Sequence, residues 1–572
     1  MIVTFKLSCR FQAPLRYIHI CSSEGVNVGH RSRQLLLAFD NSTMPLPKLA
    51  VILGAFASFS GFLFGYDTGY ISGCKEMETF IRTFGVLQPD GTYILSSGRD
   101  SLITSILSVG TCLGALCGSM VGDRIGRRFG IVFYICLFFI GVALQTGCKN
   151  LAGFAIGRVF AGLGVGGTSC LVPIYQAECS PKAIRGFVVA AYQFFVTVGL
   201  LVAACVVYAT KGRPDNSAYE IPIAIQFVWG ALIIGGMCIL PESPRWLLLK
   251  DKEEQAKKNL SRLLGQAENS QAVTTEFAEI SANLEHERSL GKGTWMDCLK
   301  YGESKTRLRI FTGMALQALQ QLTGVNFIFY YGTTFFSNSG ISNPFLTTIA
   351  TNVVNVGMSV PGMLAADRVG RRPLMMYGAA GMAVSQLIVA AVGVAVDTSN
   401  QAGQKALVGF VCIYIAHFAS TWGILAWVIT SEIYPYELRG KGMSLSTATQ
   451  WLFNFAIGYA TPYLVDVAPG SAGLKTNVFW IWGGCCCIAF VFAYFFIPET
   501  KELSLEQCDL LYRNSSVLKS AAYRRQILEH DMHDDEIAHY DSKKRPRTEH
   551  VEDSKAVEDV KAQQSQLDEW DV

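Results

Sequence analysis

The chain has 572 residues, half of them hydrophobic and only 16% charged, with a mean hydropathy of +0.30. Soluble domains carry about 25% charged residues, so a soluble globule of this size would have to hide more apolar surface than its core can hold; lipid is the simpler solvent. A net charge of +3 leaves no footprint for nucleic acid, and the 17 cysteines, including the run Cys485-Cys486-Cys487, show neither CxxC nor metal-ligand spacing. They read as small apolar packing residues, so no metal and no cofactor is expected.

Residues 1–46 carry Lys6, Arg10, Arg16, Arg31 and Arg33 against only Glu24 and Asp40, loosely like a transit peptide. The first long apolar run begins only near Leu46, just after Met44. The segment is read as a disordered cytosolic leader, or as the product of a start site placed too far upstream. A bilayer-spanning helix needs about 20 mostly apolar residues, and twelve such runs follow: 47–69, 102–122, 129–148, 151–175, 187–209, 221–240, 308–331, 345–366, 373–396, 406–431, 443–465 and 478–497. Residues 241–307 form a charged linker with helical patterning around Lys252 to Leu264. The predicted fold class is thus an all-α membrane protein of two six-helix units, at 47–240 and 308–500, around a cytoplasmic linker. The tail at 501–572, polar and mixed in charge, is expected to be disordered.

The two units repeat each other. Gly122-Asp123-Arg124-Ile125-Gly126-Arg127-Arg128 returns as Ala366-Asp367-Arg368-Val369-Gly370-Arg371-Arg372. Glu178 with Arg185-Gly186 returns as Glu432 with Arg439-Gly440, and Pro241-Glu242-Ser243-Pro244-Arg245 is echoed by Pro498-Glu499-Thr500-Lys501-Glu502. Three motifs offset by about half the chain, in one order, mean a duplicated unit. In a membrane protein, parallel halves place a transport site between them. The basic loops at Arg124 to Arg128, Lys182 and Arg185, Arg368 to Arg372, and Arg439 and Lys441 all fall on one side with the linker; that side is cytoplasmic, and an even helix count puts both termini there.

Polar groups inside the spans are costly and therefore candidate sites. Asp67 closes the first expected span, and Arg158 lies in the fourth. Asp67 has three readings: a proton site, a permanent partner of Arg158, or a capping carboxylate near a helix end. A carboxylate whose cationic partner comes and goes meets the requirement for proton coupling. The remaining groups are uncharged: Gln193; Gln317, Gln320, Gln321 and Asn326; Asn355; His417; Gln450 and Asn454. Gln317, Gln320, Gln321 and Gly324 share one helix face. Amides both donate and accept, so such a face suits a ligand of many hydroxyls better than an apolar core. Phe327, Tyr330, Tyr331, Trp422, Trp427 and Trp451 stand nearby. A sugar, with its hydroxyl rim and apolar C–H face, presents the matching mixture.

Taken together, these motifs, with Pro173-Ile174-Tyr175-Gln176-Ala177-Glu178 and Gln320-Gln321-Leu322-Thr323-Gly324-Val325-Asn326, resemble the sugar porter family of the major facilitator superfamily from about Leu49 to Gln507. Tyr192-Gln193 through Gly199-Leu200-Leu201 and Ile221 through Phe227 look like fungal high-affinity monosaccharide transporters. The resemblance implies sugar contact by Gln193, Gln320, Gln321, Asn326, Asn355 and Trp427, and proton coupling by Asp67 and Arg158. It also implies a cytoplasmic gate of Asp123, Arg127, Glu178, Arg185, Asp367, Arg371, Glu432 and Arg439. Two positions depart from the family pattern: Ile424 follows Trp422-Gly423 where proline is usual, putting hinge flexibility in question, and Gln450-Trp451 stands where Asn-Trp is frequent. Family members with an acid at the Asp67 position include both symporters and facilitators.

The expected function is import of a hexose, glucose first, across the plasma membrane by alternating access with a co-transported proton. The partners are then sugar, proton and bilayer; the chain is expected to be monomeric and not an enzyme, since no phosphate loop, HExxH or paired-carboxylate hydrolase pattern occurs. The alternatives are a facilitative hexose uniporter and a transporter-like glucose sensor.

Overall fold

In a computed structural model of the protein, the described residues are 48–180, 185–290, 294–300, 302, 304–338, 343–396, 400–435, 438–466, 471–503 and 505–529. The expected leader at residues 1–46 and the tail beyond 529 lie outside them. The first half of the chain runs through α1 (Lys48–Cys74), α2 (Glu78–Phe84), a short hairpin of β1 (Val86–Leu87) and β2 (Tyr93–Ile94), α3 (Ser97–Ile125), α4 (Arg127–Gly147), α5 (Leu151–Cys179), α6 (Arg185–Thr210), α7 (Ser217–Ala224) and α8 (Gln226–Ile239). Three linker helices follow, α9 (Pro244–Leu249), α10 (Glu253–Leu264) and α11 (Gln271–Leu290). The second half contains α12 (Thr306–Leu322), α13 (Val325–Asn338), α14 (Pro344–Val369), α15 (Arg371–Ala395), α16 (Gln401–Ser420), α17 (Trp422–Glu432), α18 (Arg439–Val465), α19 (Val478–Phe496) and α20 (Leu505–Asn514).

Among the described residues, nine helical stretches are long and apolar enough to cross a membrane. Their outer faces show large apolar side chains in numbers a water-soluble fold does not tolerate: Ile239 is 76% exposed, Val394 64% and Ile488 60%. The first and eleventh expected spans correspond to α1 and α18. The seventh, expected as one helix over 308–331, is instead the pair α12 and α13, of 17 and 14 residues.

Small residues set the spacing in the first half. A Cβ on Gly166 of α5 would lie 2.0 Å from the Thr111 carbonyl of α3, so only glycine permits this approach of the two backbones. In the second half, two helices break. Gly324, at φ +82°, separates α12 from α13 and packs against the Trp482 ring. The Thr323 carbonyl freed by the break accepts from Gln386 Nε2 at 2.7 Å and Tyr414 OH at 2.9 Å, as a buried break in a helix requires. Thr421, at φ −136° and ψ −88°, separates α16 from α17. That break forms with Ile424 in the position where proline is usual; Gln320 Nε2 donates to the buried Trp422 carbonyl at 3.0 Å and Thr421 Oγ1 donates to His417 O at 2.5 Å.

The helical patterning around Lys252 to Leu264 is α10, ended by Gly265 at φ +66°. The linker packs its own small core of Leu247, Leu248, Ala256 and Leu284. The tail departs from expectation up to residue 529: α20 and residues 520–529 are helical. Asp509 pairs with Arg309 at 2.7 Å, and Tyr512 is buried beneath the same guanidinium. The tail's overall polarity hid this one amphipathic turn, Leu511 and Tyr512, which docks on the second half.

Candidate functional site

The repeated motifs build two matching charge clusters at one end of the molecule. Gly126 and Gly370, at φ +102° and +106°, turn the chain sharply into α4 and α15. Each turn leaves the first helical N–H groups free, and each receives a carboxylate from elsewhere in the chain. Glu242 accepts from the amide N–H of Arg127 at 3.0 Å and of Arg128 at 3.2 Å; Glu499 accepts from Arg371 at 3.0 Å and Arg372 at 3.2 Å. A carboxylate on a helix N-terminus meets both the unpaired donors and the helix dipole. Burial pushes the Glu242 carboxyl above its usual range while these amide donors pull it back.

The arginine side chains then reach sideways. Arg127 donates to Asp123 at 2.7 Å and to Glu178 at 3.1 and 3.2 Å; Arg371 donates to Glu432 at 3.0 Å. The next residue of each echo closes the cluster: Ser243 Oγ donates to Glu178, and Thr500 Oγ1 to Glu432 at 2.6 Å. Arg439 opens α18 nearby in sequence. The side chains of Arg185 and Asp367 lie outside the described residues.

Midway along the helices, Asp67 and Arg158 face each other at 3.6 Å, both fully buried. Because α1 continues two turns past Asp67 to Cys74, the capping reading of this carboxylate falls. Arg158 also donates to Tyr70 OH at 3.0 Å and Ile103 O at 3.2 Å, and Tyr70 OH donates to Gln145 at 2.6 Å. Among the described residues Asp67 has no hydrogen-bond partner; its contact with the guanidinium is ionic.

Beside this pair runs a row of buried amides. Gln320 accepts from Gln321 Nε2 at 3.3 Å, Gln321 Oε1 accepts from Asn326 and, at 3.3 Å, from Asn454 Nδ2 of α18. Asn454 Oδ1 accepts from Tyr330 OH at 3.1 Å and, across to the first half, from Ser108 Oγ of α3 at 2.6 Å. Gln317, Asn355 and Gln450 are equally buried. Both polar atoms of Asn355, Gln317 Oε1, Gln450 Oε1, Tyr192 OH and Trp451 Nε1 have no hydrogen-bond partner among the described residues. Trp427 is buried edge-on to Tyr192, and Gln193 beside it is half-buried. The expected sugar-contact residues therefore come from α6, the α12–α13 pair, α14 and α17.

The sequence pattern of the family described as "Sugar (and other) transporter" matches residues 53–512. The chain belongs to this family, within the major facilitator superfamily. The transporter is 49% identical over 474 residues to the major facilitator-type transporter ecdD of Aspergillus rugulosus, covering 81% of this chain and 87% of that protein. It is 42% identical over 470 residues to the probable glucose transporter rco-3 of Neurospora crassa, covering 81% and 79%. It is 40% identical over 487 residues to the high glucose sensor RGT2 of Saccharomyces cerevisiae, covering 84% of this chain but only 63% of that longer protein. In three dimensions it resembles the proton:xylose symporter XylE bound to 6-bromo-6-deoxy-D-glucose, with a TM-score of 0.70 at 29% identity, over 81% of this chain and 99% of that one. Sugar transport by a multi-pass membrane protein is the class to which the transporter's relatives belong.

Sequence reasoning missed the part played by Glu242 and Glu499. The signal was present, since both stand in the Pro-Glu-Ser/Thr echo, but each acts on a turn 115 and 128 residues away. It also missed Ser108, one of five serines in α3, and the Lys75–Asp100 pair at the opposite end, 2.6 Å apart.

Proposed function

We propose that this transporter has twelve spans in two six-helix bundles joined by the cytoplasmic linker, and that it imports a hexose, glucose first, across the plasma membrane as a monomer, both termini inside. The observation that carries the reading is the set of buried amide, hydroxyl and indole atoms without partners among the described residues. These atoms come from both halves. Buried polar groups do not stay unpaired, and a polyol supplies donors and acceptors together with C–H faces for Trp427 and Trp451. Gln193, Gln320, Gln321, Asn326, Asn355 and Trp427 are then the sugar contacts.

Coupling is assigned to Asp67 and Arg158. A buried ionic contact without a hydrogen bond leaves the carboxylate free to exchange its guanidinium neighbour for a proton as the bundles rock. The likeness to a solved proton symporter supports this assignment. The clusters around Arg127 and Arg371, with Asp123, Glu178, Arg185, Asp367, Glu432 and Arg439, form the cytoplasmic gate. None of these steps needs covalent chemistry.

Expression in a yeast strain stripped of its hexose carriers tests the reading. Growth on glucose, uptake of labelled glucose competed by a sugar panel, and alkalinisation of the medium on sugar addition are the expected results. Sugar entry without a proton signal replaces symport by facilitated uniport. The likeness to a glucose sensor supports a second reading: glucose binding to purified protein, with no uptake and no growth, assigns the chain to sensing.

A further inference from the structure

At the end of the helices opposite the two charge clusters, the halves are in contact. Ser72 of α1 meets Thr333 of α13 at 3.1 Å, Thr334 Oγ1 donates to Glu76 at 2.6 Å, Ser97 Oγ donates to Asp466 at 2.7 Å, and Ser101 Oγ donates to Tyr459 O at 2.8 Å. All are hydroxyl bonds that water can replace when the halves part. Two cation–π contacts are of another kind: half-buried Lys211, just past α6, lies 4.5 Å from the Phe345 ring of α14, and the other is fully enclosed. Lys75, one residue past α1, is only 3% exposed although it is a lysine. A buried ammonium must find partners for each of its three protons. Asp100 takes one at 2.6 Å and Thr104 a second at 3.1 Å, both on α3. The third points at the ring of Tyr331 on α13, whose centroid lies 3.7 Å away, well within the range of a desolvated cation–π contact.

The anchor and the catch thus lie on different halves. Asp100 and Thr104 fix the ammonium to the first half, and the ring it covers belongs to the second. Tyr331 OH in turn donates to Gly458 O of α18 at 2.6 Å, so the ring is itself oriented. Asn326 and Tyr330, members of the amide row, sit on the same α13, and α13 hangs from the break at Gly324. A helix hinged at one end and held at the other is a lid.

We propose that Lys75 is a positioning residue of the transport cycle, its anchored ammonium gripping the Tyr331 ring to hold α13 shut over the amide row on the outer side. Opening exposes the ammonium's third proton to water while Asp100 and Thr104 keep the other two, so the catch releases without stranding a charge. The inference rests on the alternating-access reading.

The test uses the full-length transporter with Ser105→Cys. Ser105 is buried between α3 and α18, and its hydroxyl bonds only within its own helix. Labelling by a membrane-impermeant maleimide on intact cells, corrected for the parent without this substitution, reports parting of the halves on the outer side. Labelled glucose uptake is measured in parallel. Tyr331→Leu, which removes the ring, is expected to raise the labelling rate roughly fivefold to tenfold, and Lys75→Met to match it. Lys75→Met is also read with Asp100→Asn, so that no unpaired carboxylate remains. Tyr331→Phe and Lys75→Arg, which keep ring and charge, stay near the parent rate. The double change Lys75→Met/Tyr331→Leu exceeds neither single change. Unchanged labelling in Tyr331→Leu and Lys75→Met, or multiplied effects in the double variant, overturns the proposal. If the parent labels yet carries no sugar, the transport reading fails while the catch is judged on labelling alone.

Discussion

The ends and the middle of the transporter treat its internal repeat in opposite ways. At the charged end the halves coincide residue for residue: a glycine turn, a capping glutamate, an arginine, a second glutamate and a hydroxyl, as Gly126, Glu242, Arg127, Glu178 and Ser243 in one half and Gly370, Glu499, Arg371, Glu432 and Thr500 in the other. In the middle nothing coincides. The first half has continuous helices α1 and α5 and carries the charges Asp67 and Arg158. Their counterparts in the second half are both broken, at Gly324 and Thr421, and the first of them, α12–α13, carries amides instead. On the function proposed above, a gate that opens on both halves together gains from symmetry, and a site that binds an asymmetric solute and one proton gains from its loss.

The largest effect expected on this view comes from separating the charged pair. Arg158→Leu leaves Asp67 buried without a counter-charge, which costs about 3–5 kcal/mol. A fall in the melting temperature of purified protein is the expected result, largely restored by Asp67→Asn/Arg158→Leu. That double variant is expected to exchange labelled sugar without a proton signal. No fall in Arg158→Leu refutes the assignment of this fully buried ion pair between α1 and α5 as a unit.

Next is Gln321, the hub of the amide row. Gln321→Ala strands Asn326 and Asn454 together and is expected to raise the KM for glucose by roughly 10- to 100-fold, with trafficking unchanged by surface labelling. An equal loss in kcat with KM untouched would place the amides in the moving parts rather than in the binding site.

The symmetric end gives smaller, paired effects. Glu242→Gln and Glu499→Gln each weaken two charge-assisted bonds to a helix N-terminus, for about 1 kcal/mol apiece. The two variants are expected to lower thermal stability by similar amounts. A large loss in one and none in the other breaks the equivalence of the two clusters.

What the sequence made legible follows the same division. Motif repetition exposed the arginine–glutamate clusters, and the i, i+3, i+4 spacing placed Gln317, Gln320 and Gln321 on one buried face. The helix breaks were not legible, because a break is decided by what meets the freed carbonyl. Gln386 and Tyr414, which satisfy Thr323 O, lie 63 and 91 residues away. Lys75 gave no signal either; a lysine just past an apolar run reads as a solvated flank, and only the fold brings Asp100, Thr104 and Tyr331 around it. The tail failed for the opposite reason, since its average polarity outweighed the few apolar residues of α20 that dock.

The smallest predicted effect concerns Ile424. Its departure from the usual proline suggests a stiffened tenth span, yet the helix is already broken three residues earlier, at Thr421. Ile424 is the third residue of α17, within the first turn, where a missing N–H is tolerated; the bond lost is the one from its N–H to Thr421 O at 3.2 Å. Its side chain packs with Ala190 of α6 and Val428, so Ile424→Pro gives up part of a small contact between the halves. The expected change in glucose kcat is less than about threefold. A tenfold rise in uptake rate would mean that the proline supplies flexibility that the Thr421 break does not, and that the hinge of the second half lies at residue 424 rather than at Thr421.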